Sequence, residues 1–441
     1  MEQPSCLRKF ARYTSLSVLG TLGVSCYILA DTFFISRGLG ADGLTALNLA
    51  IPIYNFIFGA GLMLGMGGAT KFSICKSQGD EEKANHIYLN TLYLGGLFSV
   101  LFLLPGLFRA EELAVLLGAE GAVLPLTCTY LRWLLLFSPA FIFNNILLCF
   151  VRNDGGPQLS MAAMVIGSLS NILLDYLFIF PLGMGIFGAI FATGLSPLIS
   201  MAAMAPHWRS KGHTLRFLPT KPDSQTALQT MALGFPSLVA QLSSGIVMIL
   251  FNFLILRLEG NIGVAAYGVI ANIALVATGV YTGVAQGVQP LLSSFYGQGD
   301  YHQARKVQRY GVVTAVLIAA ATELLLFVFA SPVTAVFNSE GLAPMQTMAE
   351  GGLRLYFLSS VFAAYNTLLS IFFASVELPL PAQLLSILRG FVLIIPMAFL
   401  LAASLGMTGV WLACPITEFL AALVGFLLYK RCRCFQAGRA C

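Results

Sequence analysis

The 441-residue sequence is poor in charge and in histidine. Only 10% of its residues are Asp, Glu, Lys or Arg, whereas 58% are hydrophobic, and there are four histidines. A soluble protein of this length needs many more charged residues to cover its surface, so the composition excludes a soluble domain. The net charge of +5 is better explained by the arrangement of membrane loops than by binding to nucleic acid.

Motifs of the common enzyme classes are also missing. The histidines fall in predicted loops and form no metal-binding pair, and no Gly-x-Gly-Asp motif occurs. There is no glycine-rich phosphate loop, which argues against ATP as the energy source. We therefore expect a protein that is not an enzyme, with no cofactor and no structural metal. An intramembrane enzyme stays the alternative from a different functional class.

The nine cysteines show no disulfide framework. Their odd number and their positions, within hydrophobic segments or close to positively charged loops, indicate free thiols. Cys432 and Cys434 could bind a metal or carry a lipid, although a basic tail without either role is the simpler interpretation.

Long hydrophobic segments are abundant. Twelve of them are each about twenty residues or longer, which is enough to cross a bilayer as a helix. None shows the alternating pattern of a barrel strand, so the sequence predicts an all-α membrane protein. The predicted spans are approximately 14–36, 44–70, 88–108, 126–150, 160–182, 186–206, 227–256, 263–289, 310–330, 347–374, 380–402 and 407–430.

Lys and Arg are distributed unevenly between the two sets of loops. Eighteen lie in one set, which includes both termini, and three lie in the other. Because positive residues stay on the cytoplasmic side, we expect both termini to be cytoplasmic. The remaining three, Arg132, Arg354 and Arg389, lie within predicted spans. The sequence does not identify a partner for Arg389.

The second half of the chain repeats the first. Arg37 and Gly40 meet Arg257 and Gly260, and with small shifts Arg132 meets Arg354 and residues 185–192 meet 406–413. Six spans per half give both halves the same orientation, as in transporters with a substrate path between the repeats. The predicted organisation is an N-terminal six-helix bundle at 1–206, a cytoplasmic linker at 207–226, a C-terminal six-helix bundle at 227–430 and a cytoplasmic tail at 431–441.

Four acidic residues lie within predicted spans: Asp31, Asp175, Glu323 and Glu418. A carboxylate at mid-membrane costs roughly 2.5–3.5 kcal/mol on insertion scales, so such residues usually face a cavity or a partner. Burial favours the protonated acid, whereas a bound cation favours the ionised acid. One carboxyl group can therefore exchange a proton for a cation. For Glu323, which lies early in its span, reaching out to the interface is the favoured interpretation.

Polar residues of the N-terminal half accompany these acids. Asn171 and Asp175 are four residues apart and share one helix face, Thr193 lies midway along span six, and Asn144 and Asn145 lie in span four. Amide and hydroxyl groups can hold the proton of a carboxyl group or supply oxygen ligands to Na⁺. The alternative is that these residues only hydrogen-bond helices to one another.

A second group of polar residues is expected to line the substrate cavity: Tyr27, Asn144, Gln241, Asn252 and Glu418. Asn252 stands within one residue of the repeat position of Asp31. Gln241 lies one turn after a proline, and an interhelical hydrogen bond explains it equally well.

Several segments together resemble the multidrug and toxic compound extrusion (MATE) family. They are DTFFISRGLGADGLTALNLAIPI at 31–53, GGATKFSICKSQGDEEKA at 67–84, the stretch 151–193, GFPS at 234–237 and GVWLACPITEFLAALV at 409–424. The likeness spans nearly the whole chain and is greatest for a bacterial branch with acids in the N-terminal half. It implies twelve helices in two pseudo-symmetric bundles that form a V. It also implies export of organic cations and drugs, driven by inward H⁺ or Na⁺, by a monomer in the lipid bilayer of the bacterial inner membrane.

The resemblance also implies which residues respond to the coupling cation. In that branch they are an Asp in span one, an Asn and an Asp in span five, an Asn in span four and a Thr in span six. These fall here on Asp31, Asn171, Asp175, Asn145 (or Asn144) and Thr193. If Na⁺ is the coupling ion, it would bind at Asp31, Asn171, Asp175 and Thr193.

The chain departs from parts of the family pattern. Spans seven and ten lack the acids of the other main branch, so we expect no second cation site in the C-terminal half. The first span lacks the proline that bends on protonation in some relatives. A lipid-linked oligosaccharide flippase is the nearest alternative within the same broad fold. Flippases that carry pyrophosphate need a cationic cavity, whereas the polar interior expected here is acidic.

Overall fold

The computed structural model describes residues 5–210, 212–217, 220–338 and 342–431. Within these ranges the chain forms helices and no strands, which confirms the all-α prediction. The six cysteines in these ranges form no disulfide bond with one another, whereas Cys432 and Cys434, with the rest of the tail, lie outside the described residues. The α-helices of the described ranges are α1 (Cys6–Ser77), α2 (Glu81–Phe108), α3 (Ala110–Leu116), α4 (Val123–Leu136), α5 (Ser138–Asn153), α6 (Pro157–Ile179), α7 (Gly185–Met204), α8 (Ser224–Gly297), α9 (Tyr301–Val328), α10 (Ala330–Phe337), α11 (Ala343–Tyr356), α12 (Ser360–Ser375), α13 (Pro379–Ile387), α14 (Ile394–Leu405) and α15 (Met407–Arg431).

The two longest helices, α1 and α8, each contain two spans joined at a glycine. Gly40 interrupts α1 with φ 69° and ψ −158°, and Gly260 interrupts α8 with φ 63° and ψ −153°. Only glycine adopts such angles without strain, because it has no Cβ. The two glycines are partners in the sequence repeat, so the same backbone break ends the first span of each half.

The described part of the chain accounts for twelve spans. Nine helical segments in it are long and apolar enough to cross a membrane, and α4 with α5, bent by 46°, makes a tenth. Two of the nine segments, α1 and α8, contain two spans each, which brings the number to twelve. The sequence did not predict the short helices α3 and α10, which occupy corresponding positions after the third and ninth spans.

Contacts divide the chain into two compact units. The N unit is Leu19–Leu242, and the C unit combines the described residues up to Val18 with those from Ser243 onward. The beginning of α1 therefore belongs with the C unit, and the beginning of α8 belongs with the N unit. The bundle boundaries at 206 and 227 stay a prediction from the sequence repeat. The two compact units are divided at other residues.

Backbone contacts at glycines hold the start of α8 within the N unit. A Cβ built on Gly234 would lie 1.7 Å from the carbonyl oxygen of Met63, and one built on Gly67 would lie 1.9 Å from that of Thr230. Helices approach this closely only where side chains are absent, so α8 and the second span of α1 pack backbone against backbone. In the C unit, Gly287 makes the corresponding approach to Thr14, with a Cβ-to-Cα distance of 2.6 Å.

The linker between the halves is fixed to the N unit by polar contacts. The backbone N–H of Arg216 donates to Asn85 Oδ1 at 2.7 Å, and the N–H of Asp223 donates to Asn90 Oδ1 at 3.1 Å. The buried Asp154, which follows α5, accepts hydrogen bonds from Thr214 N, from Lys76 and, at 2.8 Å, from His207 Nε2. The sequence predicted a linker here but not that Asp154 anchors it.

Burial alone would raise the pKa of Asp154, but the hydrogen bonds from His207 and Lys76 hold that pKa below its ordinary value. Its ionised form therefore adds stability above about pH 4, and this stability is lost as the pH falls through the lower folded-state pKa. We expect Asp154→Asn to lower the free energy of unfolding by about 2–3 kcal/mol at neutral pH, and by progressively less in acid. Thermal unfolding of the purified protein across this pH range measures the effect.

Asp42→Asn is the matched control, because Asp42 is exposed and belongs to the same unit. It is expected to unfold like the wild type at every pH. An Asp154→Asn deficit of the same size at neutral pH and below pH 4 would show that the loss comes from packing and not from the charge.

Candidate functional site

The N unit brings four of the predicted coupling residues into one buried cluster. Asp31 comes from the first span of α1, Asn171 and Asp175 from α6, and Thr193 from α7. The exposed fraction is 7% for Asp31, 5% for Thr193 and 0% for Asn171 and Asp175. The polar face of α6 that the sequence predicted therefore points into the protein.

Direct contacts join the members of the cluster. Asn171 Nδ2 donates to Thr193 Oγ1 at 3.3 Å, and Thr193 Oγ1 donates to the carbonyl oxygen of Ala189 at 3.0 Å. The carboxyl groups of Asp31 and Asp175 are close enough to interact electrostatically. The consecutive helices α6 and α7 thus supply three of the four residues, and α1 supplies the fourth.

The cluster has more hydrogen-bond acceptors than donors. No N–H or O–H group among the described residues donates to Asp31 Oδ1, to either carboxyl oxygen of Asp175 or to Asn171 Oδ1. A buried oxygen without a donor destabilises a protein, and two neighbouring carboxylates repel each other when both are ionised. A proton or a small cation removes both problems. The arrangement is therefore suited to hold and release one positive charge.

A cavity of about 60 Å³ lies in the same unit and has room for a few water molecules. Thr193 contributes to its wall and so connects it to the acidic cluster. The tyrosines Tyr27 and Tyr54 share a hydrogen bond of 2.8 Å between their hydroxyls at this wall. Asn144 and Asn145 also line the cavity, and Asn144 Oδ1 accepts no hydrogen bond from the described residues.

Three of the residues predicted for a substrate cavity do not line the N unit's cavity. Gln241 packs against Gly59, whose built Cβ would be 3.0 Å from Gln241 Cβ. Asn252 belongs to the C unit. Glu418 also belongs to the C unit, where it forms an ion pair with Arg389 at 2.7 Å. The structure thereby identifies the partner of Arg389. Tyr27 and Asn144 line the N unit's cavity, but the sequence could not show that they do so together.

Sequence reasoning missed Tyr54 and Tyr130. Tyr130 is 3% exposed and interacts electrostatically with both Asp31 and Asp175, although it comes from α4. Neither tyrosine has a sequence signal of its own, because aromatic residues are frequent throughout the spans. Only the packing of α4 against the cluster selects Tyr130.

Comparison with known proteins decides the family. The sequence model of the MatE family matches residues 17–177 and 236–400, one segment in each half of the chain. The chain belongs to the MatE family. The double match agrees with the repeat of six spans, and membership makes the protein a multi-pass membrane transporter and not an enzyme. MatE transporters need no cofactor.

The similarity to related proteins and solved structures extends over almost the whole of this MatE family chain. Multidrug export protein MepA of Staphylococcus saprophyticus is 25% identical over 429 residues, which is 97% of this chain and 94% of the relative. MepA of a Staphylococcus aureus strain is 24% identical with the same coverage. A MOP superfamily transporter from Pyrococcus furiosus matches 99% of this chain and 97% of its own, with 26% identity and a TM-score of 0.91. A structure of an outward-facing multidrug resistance MATE family transporter gives the same values.

Proposed function

We propose that this transporter exports organic cations, drugs among them, in exchange for inward H⁺ or Na⁺. Asp31 and Asp175 are the coupling acids, with Asn171, Thr193 and Asn145 as their polar neighbours. The observation that carries the proposal is the buried acid pair, three of whose four carboxyl oxygens accept no hydrogen bond from the described residues. The names of the relatives, which describe multidrug export, support the substrate class.

The acid pair can hold only one kind of positive charge at a time. When ionised, it offers a counter-charge to a cationic drug. Uptake of H⁺ or Na⁺ neutralises the pair, which removes that counter-charge and allows the drug to leave. One proton that moves down 100 mV supplies roughly 2.3 kcal/mol. A tenfold gradient of an uncharged substrate costs about 1.4 kcal/mol, which one such proton covers. Exchange of one H⁺ for one monovalent organic cation moves no net charge, so the concentration gradient of the coupling ion must then supply the energy.

The two coupling ions differ in what they need from the site. Na⁺ requires several oxygen ligands, and Asp31, Asp175, Asn171 and Thr193 can supply them through carboxyl, amide and hydroxyl groups. A proton requires only one carboxyl oxygen. Replacing the Thr193 hydroxyl by a methyl group in Thr193→Val therefore removes a Na⁺ ligand and leaves the proton acceptors in place.

Proteoliposomes that contain the purified full chain test the function. Ethidium efflux is followed under an imposed pH gradient, then under an imposed Na⁺ gradient, each with the other ion balanced. Faster efflux under one gradient identifies the coupling ion. Efflux that responds to neither gradient would contradict antiport and favour the flippase alternative, which predicts no ion-driven movement of a dye.

The proposal includes the setting in which the transporter works. The excess of Lys and Arg in one set of loops supports cytoplasmic termini, and relatives from bacteria support the bacterial inner membrane. We propose a monomer in the lipid bilayer.

A further inference from the structure

The C unit contains an ion pair that is hydrogen-bonded to residues of neighbouring spans. Arg389 Nε and Nη2 donate to Glu418 Oε1 at 3.0 and 2.7 Å, and Nη1 donates to Thr367 Oγ1 at 3.1 Å. Asn366 Nδ2 donates to the other carboxyl oxygen of Glu418, Oε2, at 2.7 Å. The guanidinium group of Arg389 therefore lies in a site built by a carboxylate, a hydroxyl and an amide from α12 and α15.

Arg389 reaches this site from a distorted segment of helix. Residues Leu388–Val392 form a π-helical turn between α13 and α14. Such turns insert a residue into a helix, are rare and occur frequently at functional sites. The side chains of Arg389 and Glu418 are only 22% and 15% exposed. Burial of two charges is costly unless they are well hydrogen-bonded. Here all three nitrogens of the guanidinium group donate a hydrogen bond, and both carboxyl oxygens of Glu418 accept one.

The internal repeat relates this network to the cavity of the N unit. The alignment of the two halves that pairs Arg132 with Arg354 also pairs Asn144 with Asn366, and Asn145 with Thr367. Both Asn144 and Asn145 line the cavity of about 60 Å³. The two residues of α12 that bind Arg389 and Glu418 are thus the counterparts of two cavity residues on α5.

The other two spans give the same correspondence. The alignment that relates 185–192 to 406–413 pairs Glu418 with Pro197. Helices α6 and α13 both begin at a proline, and aligning these two prolines pairs Arg389 with Gly167. Pro197 and Gly167 both line the N unit's cavity. In one half this position is a glycine, to which Ser200 packs closely, and in the other half it carries an arginine side chain.

We propose that Arg389 is a tethered cation that permanently occupies the C unit's counterpart of the N unit's cavity. The C unit thus has a guanidinium-binding site made by Glu418 and Thr367, in which Asn366 holds the carboxylate of Glu418 and the ligand is attached to the chain. The N unit exchanges its cation, whereas the C unit keeps Arg389 bound. This contrast between the units rests on the proposed function, but the guanidinium-binding site does not depend on it.

If the Arg389 side chain is removed, the site can be tested with free guanidinium ion. Purified full-length Arg389→Ala is expected to have a lower Tm than the wild type. Low millimolar guanidinium chloride should bind beside Glu418 and raise that Tm by about 2–4 °C, because a ligand that binds only the folded state stabilises it. Urea, which has the same shape without the charge, should not raise it. In the wild type, guanidinium should leave the Tm unchanged or lower it.

Two further variants give the outcomes their meaning. In Arg389→Ala/Glu418→Gln, guanidinium is expected not to raise the Tm. A rise in Tm equal to that of Arg389→Ala would overturn the proposal. The absence of any rise in Arg389→Ala itself would also overturn it. Arg389→Lys keeps a tethered cation and should fold with an intermediate Tm, and a Lys variant as unstable as the Ala variant also contradicts the site. Because these measurements follow unfolding, they are independent of whether ion-driven efflux is found.

Discussion

Asp175→Asn is expected to reduce gradient-driven ethidium efflux to the level of liposomes without protein. The asparagine has nearly the same volume as the aspartate, but it neither takes up a proton nor carries the negative charge that attracts Na⁺. The acid pair then keeps a single carboxyl group and no longer offers the paired counter-charge. The measurement is efflux from proteoliposomes under the gradient that drives the wild type.

The substitution should not unfold the protein. Asp175 is fully buried, and none of the described residues donates a hydrogen bond to its carboxyl oxygens. Its carboxyl group lies beside that of Asp31, an acid of the same sign. Replacing such a buried acid by a neutral amide is expected to leave the Tm unchanged or to raise it. Loss of efflux together with a Tm at or above that of the wild type therefore identifies a defect in coupling.

Glu323→Gln is the matched control for this experiment. Glu323 is also an acid within a span, on α9 of the C unit, and it is only half-buried. Its substitution should leave ion-driven efflux close to that of the wild type. Unchanged efflux in Asp175→Asn, or an equal loss in Glu323→Gln, would remove Asp175 from the coupling mechanism.

Gly234→Ala is expected to cause the second large effect, through packing rather than charge. The new Cβ would lie 1.7 Å from the carbonyl oxygen of Met63, so α8 and the second span of α1 must move apart. The neighbouring contact of Gly67 with Thr230 depends on the same approach and would be lost with it. Overpacking of this kind costs about 1–3 kcal/mol, which corresponds to a fall in Tm of several degrees.

Gly96→Ala separates this steric effect from the general effect of alanine in a helix. Gly96 lies within α2, and no atom would come within 4 Å of a Cβ built there. Because alanine is favoured over glycine by about 1 kcal/mol in a helix, this variant should be as stable as the wild type or more stable. A Gly234→Ala protein that unfolds at the same temperature as Gly96→Ala would show that α8 and α1 do not pack at this distance in the membrane protein.

The sequence predicted that the polar residues of α6 share one face but could not predict all of their surroundings. Asn171 and Asp175 share a face because they are four residues apart, and this periodicity is a local property. Tyr130 interacts with both acids from α4, and no local pattern distinguishes it from the other aromatic residues of the spans. The same limit explains why Arg389 had no identified partner: Glu418 is on another helix, twenty-nine positions further along the chain.

The sequence by itself determined the number of spans, the all-α fold and the repeat. The lengths of the hydrophobic segments give the spans, the need to pair backbone groups in lipid gives helices, and the matched glycines of the two halves give the repeat. Only the tertiary structure decided which polar residues meet. In the structure Asp31 lies beside Asp175, Glu418 forms an ion pair with Arg389, and the linker is hydrogen-bonded to Asp154. The physical reason is that each of these contacts joins residues that are far apart in the chain. Such contacts depend on how the helices pack, and hydrophobic patterns do not specify that packing.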